Sequence, residues 1–360
     1  IIETVLKHII DDQNANPLGK QMDLEAAMNV CLGNTVKLSK DDQKILSEFK
    51  KTHINYLNLG AHGNVVPNTD MLFIVRDAIS SPLRYPGGKS KLYPFFTKLL
   101  KENCLIGKEY YEPYAGGAGL ALKLLANGFV KSININDIDV SIYAFWISAI
   151  KNTDKFCQLI EDTDINIDVW HKQHEIWKTC DTNNMLQLGF STYFLNRTNR
   201  SGIIEGAGPI GGYKQKGEWK IDVRLQKKSQ IENLKFIKKY ADQINIHNID
   251  AVDFTNAYIK NDNSLFYLDP PYYQKGNKLY KNFYEHCDHI HISKLLKKHK
   301  KRNWVLSYDN APEILKAYEY FSPTFYSLNY SAGTKTIGTE VIYLSDSIIC
   351  PTVPGFRNAA

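Results

Sequence analysis

Apolar residues recur along this chain in two rhythms. Short segments at 132–136, 244–249, 264–268 and 304–308, each ended by polar or turn residues, predict strands, and the apolar run at 264–268 predicts one buried on both faces. Stretches with apolar residues three and four apart predict helices at 92–100, 120–126, 230–240 and 289–299, and another from residue 140. Further strands are expected at 110–114, 325–330 and 340–344. Strands alternating with helices imply an α/β fold with a largely parallel, doubly wound sheet.

Two stretches leave this rhythm. Residues 1–80 read as a helical extension, with a capped segment opening at Ser39-Lys40-Asp41-Asp42, and their role stays open. Residues 145–235 carry helical patterns around Phe156, Trp170, Ile176 and Trp177 before a glycine-rich segment that reads as a mobile loop. The expected organisation is therefore a sheet domain of 81–144 and 236–350, interrupted by a mainly helical insert at 145–235.

The strand at 264–268 runs into Asp269-Pro270-Pro271-Tyr272-Tyr273. Two prolines fix two φ angles and remove two N–H donors, so the Asp269 carboxylate and the nearby carbonyls form a rigid group of acceptors. Such acceptors suit a ligand that brings donors, and the Tyr272 ring beside them can stack on a planar heterocycle. Together they point to an exocyclic amino group on a base, against the plainer alternative of a strand end with surface tyrosines. Upstream, the strand at 110–114 ends in Ala115-Gly116-Gly117-Ala118-Gly119 and a helix follows, the layout in which a ligand approaches backbone in a doubly wound sheet. Asp137, closing the next strand, is placed either to reach the ribose of a nucleoside cofactor or to cap the helix from 140. Asp253 and Phe254, beyond the strand at 244–249, offer an acceptor and a ring to a cofactor adenine, or form an ordinary loop.

Basic and aromatic residues interleave in the insert. Arg197, Asn199, Arg200, Lys214, Lys216 and Arg224 surround the glycine-rich segment and have what phosphate and base contacts require. A second basic motif, Tyr85-Pro86-Gly87-Gly88-Lys89, precedes a helix and can bring amides to an anion or carboxylate, although it lacks P-loop spacing.

Composition narrows the picture modestly. The 360 residues are 43% apolar and 23% charged with a net charge of +6, which permits a polyanionic partner. No apolar run reaches the roughly 20 residues of a membrane span, and the six scattered cysteines contain no Cys-x-x-Cys, so a cytoplasmic protein without a metal site is expected.

Taken in order, Tyr85 to Lys89, Glu112-Pro113-Tyr114-Ala115-Gly116-Gly117-Ala118-Gly119, Asp137 and Asp269-Pro270-Pro271-Tyr272, with Asn196-Arg197 and Ser307-Tyr308-Asp309-Asn310, resemble the Dam-like, alpha-group DNA adenine N6-methyltransferases over 82–344. The resemblance implies a Rossmann-like methyltransferase sheet and S-adenosylmethionine as methyl donor. It also implies double-stranded DNA as partner, with the insert reading the target. Within it, Gly116 and Gly117 line the methionine moiety, with Tyr85, Gly88, Lys89 and Tyr114 near that end. Asp137 takes the ribose, and Asp253 and Phe254 take the adenine. A flipped adenine would stack on Tyr272 while Asp269 and the Pro270 carbonyl accept from its amino group, Pro271 fixing the turn. A prokaryotic or phage setting, nucleoid association and a cognate restriction endonuclease belong to the same set of expectations. Ala118 departs from the family's usual second glycine, and the segment at 202–212 departs from its GATC-reading pattern. Cytosine N4, RNA adenine and a non-catalytic DNA-binding module are the rival readings.

Overall fold

The protein is described from a computed structural model covering residues 80–84, 89–273, 284–330 and 336–358. The helices expected within 1–79, and Tyr85 and Gly88, lie outside the described residues, all of which belong to one compact unit, Ala78–Ala360.

Eight described segments pair into one sheet. They are β1 (Glu109–Glu112), β2 (Ser132–Asn136), β3 (Ile244–His247), β4 (Ser264–Leu268), β5 (Trp304–Asp309), β6 (Thr324–Tyr330), β7 (Thr336–Leu344) and β8 (Phe356–Asn358). The order is β3-β2-β1-β4-β5-β7-β6-β8, with the first five strands parallel and the last three antiparallel to their neighbours. The chain winds outward in one direction from β1 through β2 to β3, and in the other from β4 to β5. The connections therefore part between β1 and β4, opening a crevice at their carboxyl ends. This is the Rossmann-like α/β arrangement the strand and helix rhythm predicts.

Burial explains why the central strands form. Every residue of β4 is buried, and Pro270-Pro271 ends it. Successive residues face opposite layers: Tyr110 meets Phe96 of helix α1 (Tyr93–Glu102), while Tyr111 stacks on Phe266 at 4.6 Å on the other side. That second layer continues through Phe254, Ile292, Leu296 and Tyr318, on helices α8 (Ala251–Tyr258) and α9 (His286–Lys298) and beside α10 (Pro312–Ala317). His289 is buried here and meets the Tyr308 hydroxyl at 2.8 Å.

Helix α2 (Gly119–Ala126) follows β1. Between β2 and β3 run α3 (Val140–Lys151), α4 (Thr153–Asp162), α5 (Ile167–Thr179), α6 (Met185–Thr198) and α7 (Lys227–Lys238). Helix α6 escaped the periodicity because Leu188 through Thr198 are all buried, leaving no polar face to mark a helical period. Among the described residues no helix is long and apolar enough to cross a membrane.

The glycine-rich segment before α7 is folded on itself. Gln215 donates to the Ile210 and Gly212 carbonyls, both at 2.7 Å, and accepts from Ile221 N–H at 2.9 Å. Expected as a mobile loop, it instead carries its own internal bonding.

Gly189 is where α6 presses on α3: a Cβ there would lie 2.3 Å from the Ala144 carbonyl oxygen. Gly189→Ala is expected to destabilise the fold by about 1–3 kcal/mol, since a methyl group must force two packed backbones apart. Urea unfolding followed by circular dichroism measures this, and an unchanged midpoint would refute the close contact.

Candidate active site

A cavity of about 340 Å³ lies at the carboxyl ends of β1, β2 and β4. Its floor is the glycine-rich turn after β1. Gly116 has φ +45°, and Ala118, at the N-terminus of α2, adopts the same left-handed value. Where a glycine would be unstrained, the alanine takes a conformation costing about 1–2 kcal/mol. The surroundings hold the turn in place: Gly116 donates its N–H to Asp137 Oδ2 at 2.9 Å, and its carbonyl accepts from Trp146 Nε1 at 2.8 Å.

Asp137 therefore does not cap the following helix; Asp139 does, accepting from Ser141 N–H at 2.8 Å. Asp137 accepts instead from Gly116 and from Asp139 N–H at 3.0 Å. Burial raises its carboxyl to about 7 against the pull of those two donors. Across the turn Glu112, at the end of β1, accepts from Tyr110 Oη at 3.0 Å, and burial raises it to about 8.

Asp269 stands opposite, at the end of β4. Its Oδ1 accepts from Ser307 Oγ at 2.8 Å, which meets Tyr267 Oη at 2.8 Å, and the Lys89 ammonium lies 3.2 Å away. Burial raises the Asp269 carboxyl to about 6, the Lys89 charge opposing and a second acid, Glu340, reinforcing the shift. Glu340 is fully buried in β7, 3.2 Å from the same ammonium, and accepts from the hydroxyls of Tyr272 and Tyr326. Burial alone would lower the Lys89 ammonium, yet the two carboxylates outweigh it and hold it above its ordinary value. Past the prolines, Tyr273 N–H donates to Asp309 Oδ1 at 2.9 Å, tying the turn to β5.

The structure gathers Lys89, Tyr114, Gly116, Gly117, Asp137, Asp269 and Pro271 around one cavity, with Pro270 buried beside it. It relocates others. The strand at 244 ends at His247, two residues sooner than expected, so the acid facing the cavity is Asp250, which caps α8 through Val252 N–H at 2.8 Å. Asp253 is exposed one turn further on, and Phe254 lies in the core against Tyr111 and Tyr258, away from the cavity.

Arg197 and Asn199 were expected on a DNA-facing surface. Instead Arg197 is buried, donating to Pro82 O at 2.7 Å and to Gln230 Oε1 at 2.6 Å, and Asn199 accepts from Trp170 Nε1 at 2.7 Å. Arg200, Lys214, Lys216 and Arg224 are exposed. Tyr272, expected as an open ring, is 4% exposed because its hydroxyl is drawn in by Glu340 and Lys89, with the ammonium 4.8 Å from the ring centroid. The rings lining the cavity are Tyr114, Tyr267 and Tyr284. Sequence reasoning missed Glu340, Tyr326, Tyr284 and Asp250. For Glu340 a signal existed: an acid opening the apolar run 341–344.

A model of the family described as D12 class N6 adenine-specific DNA methyltransferase matches residues 85–330. No curated protein matches the chain.

The raised carboxyls set a pH dependence of stability. Glu112, Asp137 and Asp269 bind protons more tightly folded than unfolded, so their contribution is full below about pH 4 and is lost as pH rises through about 6 to 8. The ligand-free protein is therefore expected to melt at progressively lower temperature between pH 5 and pH 8, by roughly 2–4 °C per kcal/mol lost. Glu112→Gln, which is neutral throughout, should flatten the upper part of that slope in thermal scans. An identical slope in the variant would exclude Glu112 from it.

Proposed function

The chain belongs to the D12 class N6 adenine-specific DNA methyltransferases, and from that membership we propose that it transfers a methyl group from S-adenosylmethionine to N6 of an adenine flipped out of duplex DNA. The observation that carries the proposal is the partly buried Asp269 carboxylate at the topological switch point, facing a cavity built from the glycine-rich turn.

The cavity lining favours such a donor over a dinucleotide. Among the described lining residues five acids, Glu112, Asp137, Asp139, Asp250 and Asp269, stand against one ammonium, that of Lys89. A pyrophosphate would be repelled there, whereas a ligand with a sulfonium and an ammonium is attracted. When bound, S-adenosylmethionine supplies a methyl group activated by positively charged sulfur. Glu112 and the Gly116-Gly117 backbone are assigned to its methionine end, with Tyr114 alongside. Asp137 is assigned to the ribose hydroxyls and Asp250, in place of Asp253, to the adenosine end. Lys89, tied to two acids, serves the Asp269 side of the cavity.

The target amine is assigned to Asp269 and the Pro270 carbonyl. Two acceptors on one amino group draw it out of conjugation with the ring, raising electron density on nitrogen, and hold it in line for transfer. The two prolines keep competing backbone donors away. Tyr272 is the ring assigned to stack on the base; it is buried, so stacking requires a neighbour to move aside. Extruding a base needs a grip on the duplex, and the helical stretch at 145–235 is assigned that task. Its exposed Arg200, Lys214, Lys216 and Arg224 lie in a region that also presents Tyr213 and Trp219, 57% and 62% exposed.

Asp269→Ala is expected to lower methyl transfer by at least about a hundredfold, on the order of 3 kcal/mol, while cofactor affinity changes little. Labelled methyl incorporation into duplex DNA with nucleoside analysis decides this. Near-normal turnover by the variant, or N4-methylcytosine as the wild-type product, would sink the assignment.

Cofactor binding carries a second test. A cation entering the cavity lowers the carboxyls of Asp137, at about 7, and Glu112, at about 8, and so expels protons. Affinity should rise from pH 6 to pH 8, with net proton release at pH 7 in calorimetry across buffers of different ionisation enthalpy. Proton uptake would contradict the cationic ligand.

A further inference from the structure

We propose that Glu340 is a positioning residue of the methyl-transfer site, fixing Lys89 and Tyr272 against Asp269 from β7. The inference rests on the assignment of Asp269 to the target amine.

The geometry converges on one carboxylate. Glu340 Oε1 accepts from the Tyr272 hydroxyl, and Oε2 accepts from the Tyr326 hydroxyl and from Lys89 Nζ at 3.2 Å. The residue is fully buried, so each of these bonds forms where water does not compete for it. Lys89 continues the chain, its ammonium lying 3.2 Å from Asp269 Oδ1. Asp269 is thereby held from two sides, by Lys89 and by Ser307 Oγ at 2.8 Å.

Glu340 has this position because of sheet register. On antiparallel β7 it pairs with Asp309 of β5, the residue whose carboxylate receives Tyr273 N–H. One strand pair thus secures both tyrosines after the prolines, Tyr273 through Asp309 and Tyr272 through Glu340. No atom of Glu340 lines the cavity. Its action must pass through the residues it holds.

The ionisable groups of this cluster are Lys89 on the turn before α1, Tyr267, Asp269 and Tyr272 on or after β4, Tyr326 on β6 and Glu340 on β7, with Asp309 beside it in register and Glu112 across the cavity. Burial and the neighbouring Glu340 charge hold the Tyr326 hydroxyl far above its ordinary value, so it stays a donor. The charge of Glu340 also adds to the upward push on Asp269.

Glu340→Gln keeps the shape and removes the charge. The variant is expected to bind S-adenosylmethionine within about twofold of wild type while kcat falls about ten- to a hundredfold, since a misplaced reacting group loses rate and not cofactor affinity. Its acid limb should also move to lower pH, because Asp269 no longer feels the second negative charge. Tyr326→Phe, which leaves the Glu340 charge in place, should leave that limb where it is, so a shift confined to Glu340→Gln marks the lost charge. Tyr326→Phe, which removes one donor to Glu340 and leaves the charge, is expected to fold normally and lose about threefold in kcat.

Wild-type kcat and an unmoved acid limb in folded Glu340→Gln would overturn the inference. Should that variant fail to fold, unchanged kcat in Tyr326→Phe overturns it and reduced kcat with normal cofactor affinity supports it. The Asp269→Ala variant separates the two assignments. Loss of activity there with none in the Glu340 and Tyr326 variants defeats only the positioning role, whereas activity in Asp269→Ala defeats the assignment beneath it.

Discussion

One buried ammonium held between the buried Glu340 carboxylate and the partly buried one of Asp269 sets the geometry at the end of β4. Lys89 lies 3.2 Å from both Asp269 and Glu340, and each of the three would be costly to bury alone. A buried acid left without its partner is destabilising by about 3–5 kcal/mol, so the cluster is stable only when the turn before α1, the end of β4 and the antiparallel strand β7 are in place together. Three segments separated by as much as 251 positions in the chain are thereby made interdependent. The carboxylate that faces the cavity owes its direction to that constraint and to Ser307 behind it.

The helices between β2 and β3 reach the same place by another route. Asn196 donates to Arg84 O at 2.9 Å and accepts from Arg84 N–H at 2.7 Å, while Arg197 donates to Pro82 O. Gly202, with φ +76°, lets the chain close on this contact, since a Cβ there would lie 2.3 Å from the Arg84 carbonyl oxygen. The clamped segment 82–84 lies just upstream of Lys89. Arg197, which reads as a nucleic-acid contact, and its neighbour Asn196 therefore serve to anchor the approach to the site.

Electrostatics and conformation agree at the glycine-rich turn. The turn brings backbone close to the cavity, and burial raises the acids around it. Ala118 accepts a left-handed backbone where a glycine would be at ease, which shows that the surrounding bonds to Gly116 dictate the turn more strongly than local preference does.

The sheet was legible in the sequence because its central strands are buried on both faces and its breaks are chemical. The bounds 132–136 and 264–268 agree with the structure, and Asp137 and Asp269 follow directly from them. Helix α6 was not legible, since a helix buried on every side has no period of polar residues to betray it. Local order also carried the glycine turn, the acid after β2 and the Asp-Pro-Pro-Tyr stop, which are contiguous residues acting where they stand. Tertiary structure alone decided the rest. Whether Arg197 faces solvent, whether Asp250 or Asp253 meets the cavity, and whether Glu340 joins Lys89 depend on which strand end, helix face and sheet register come together, and an ion pair 251 positions apart leaves no trace in local pattern.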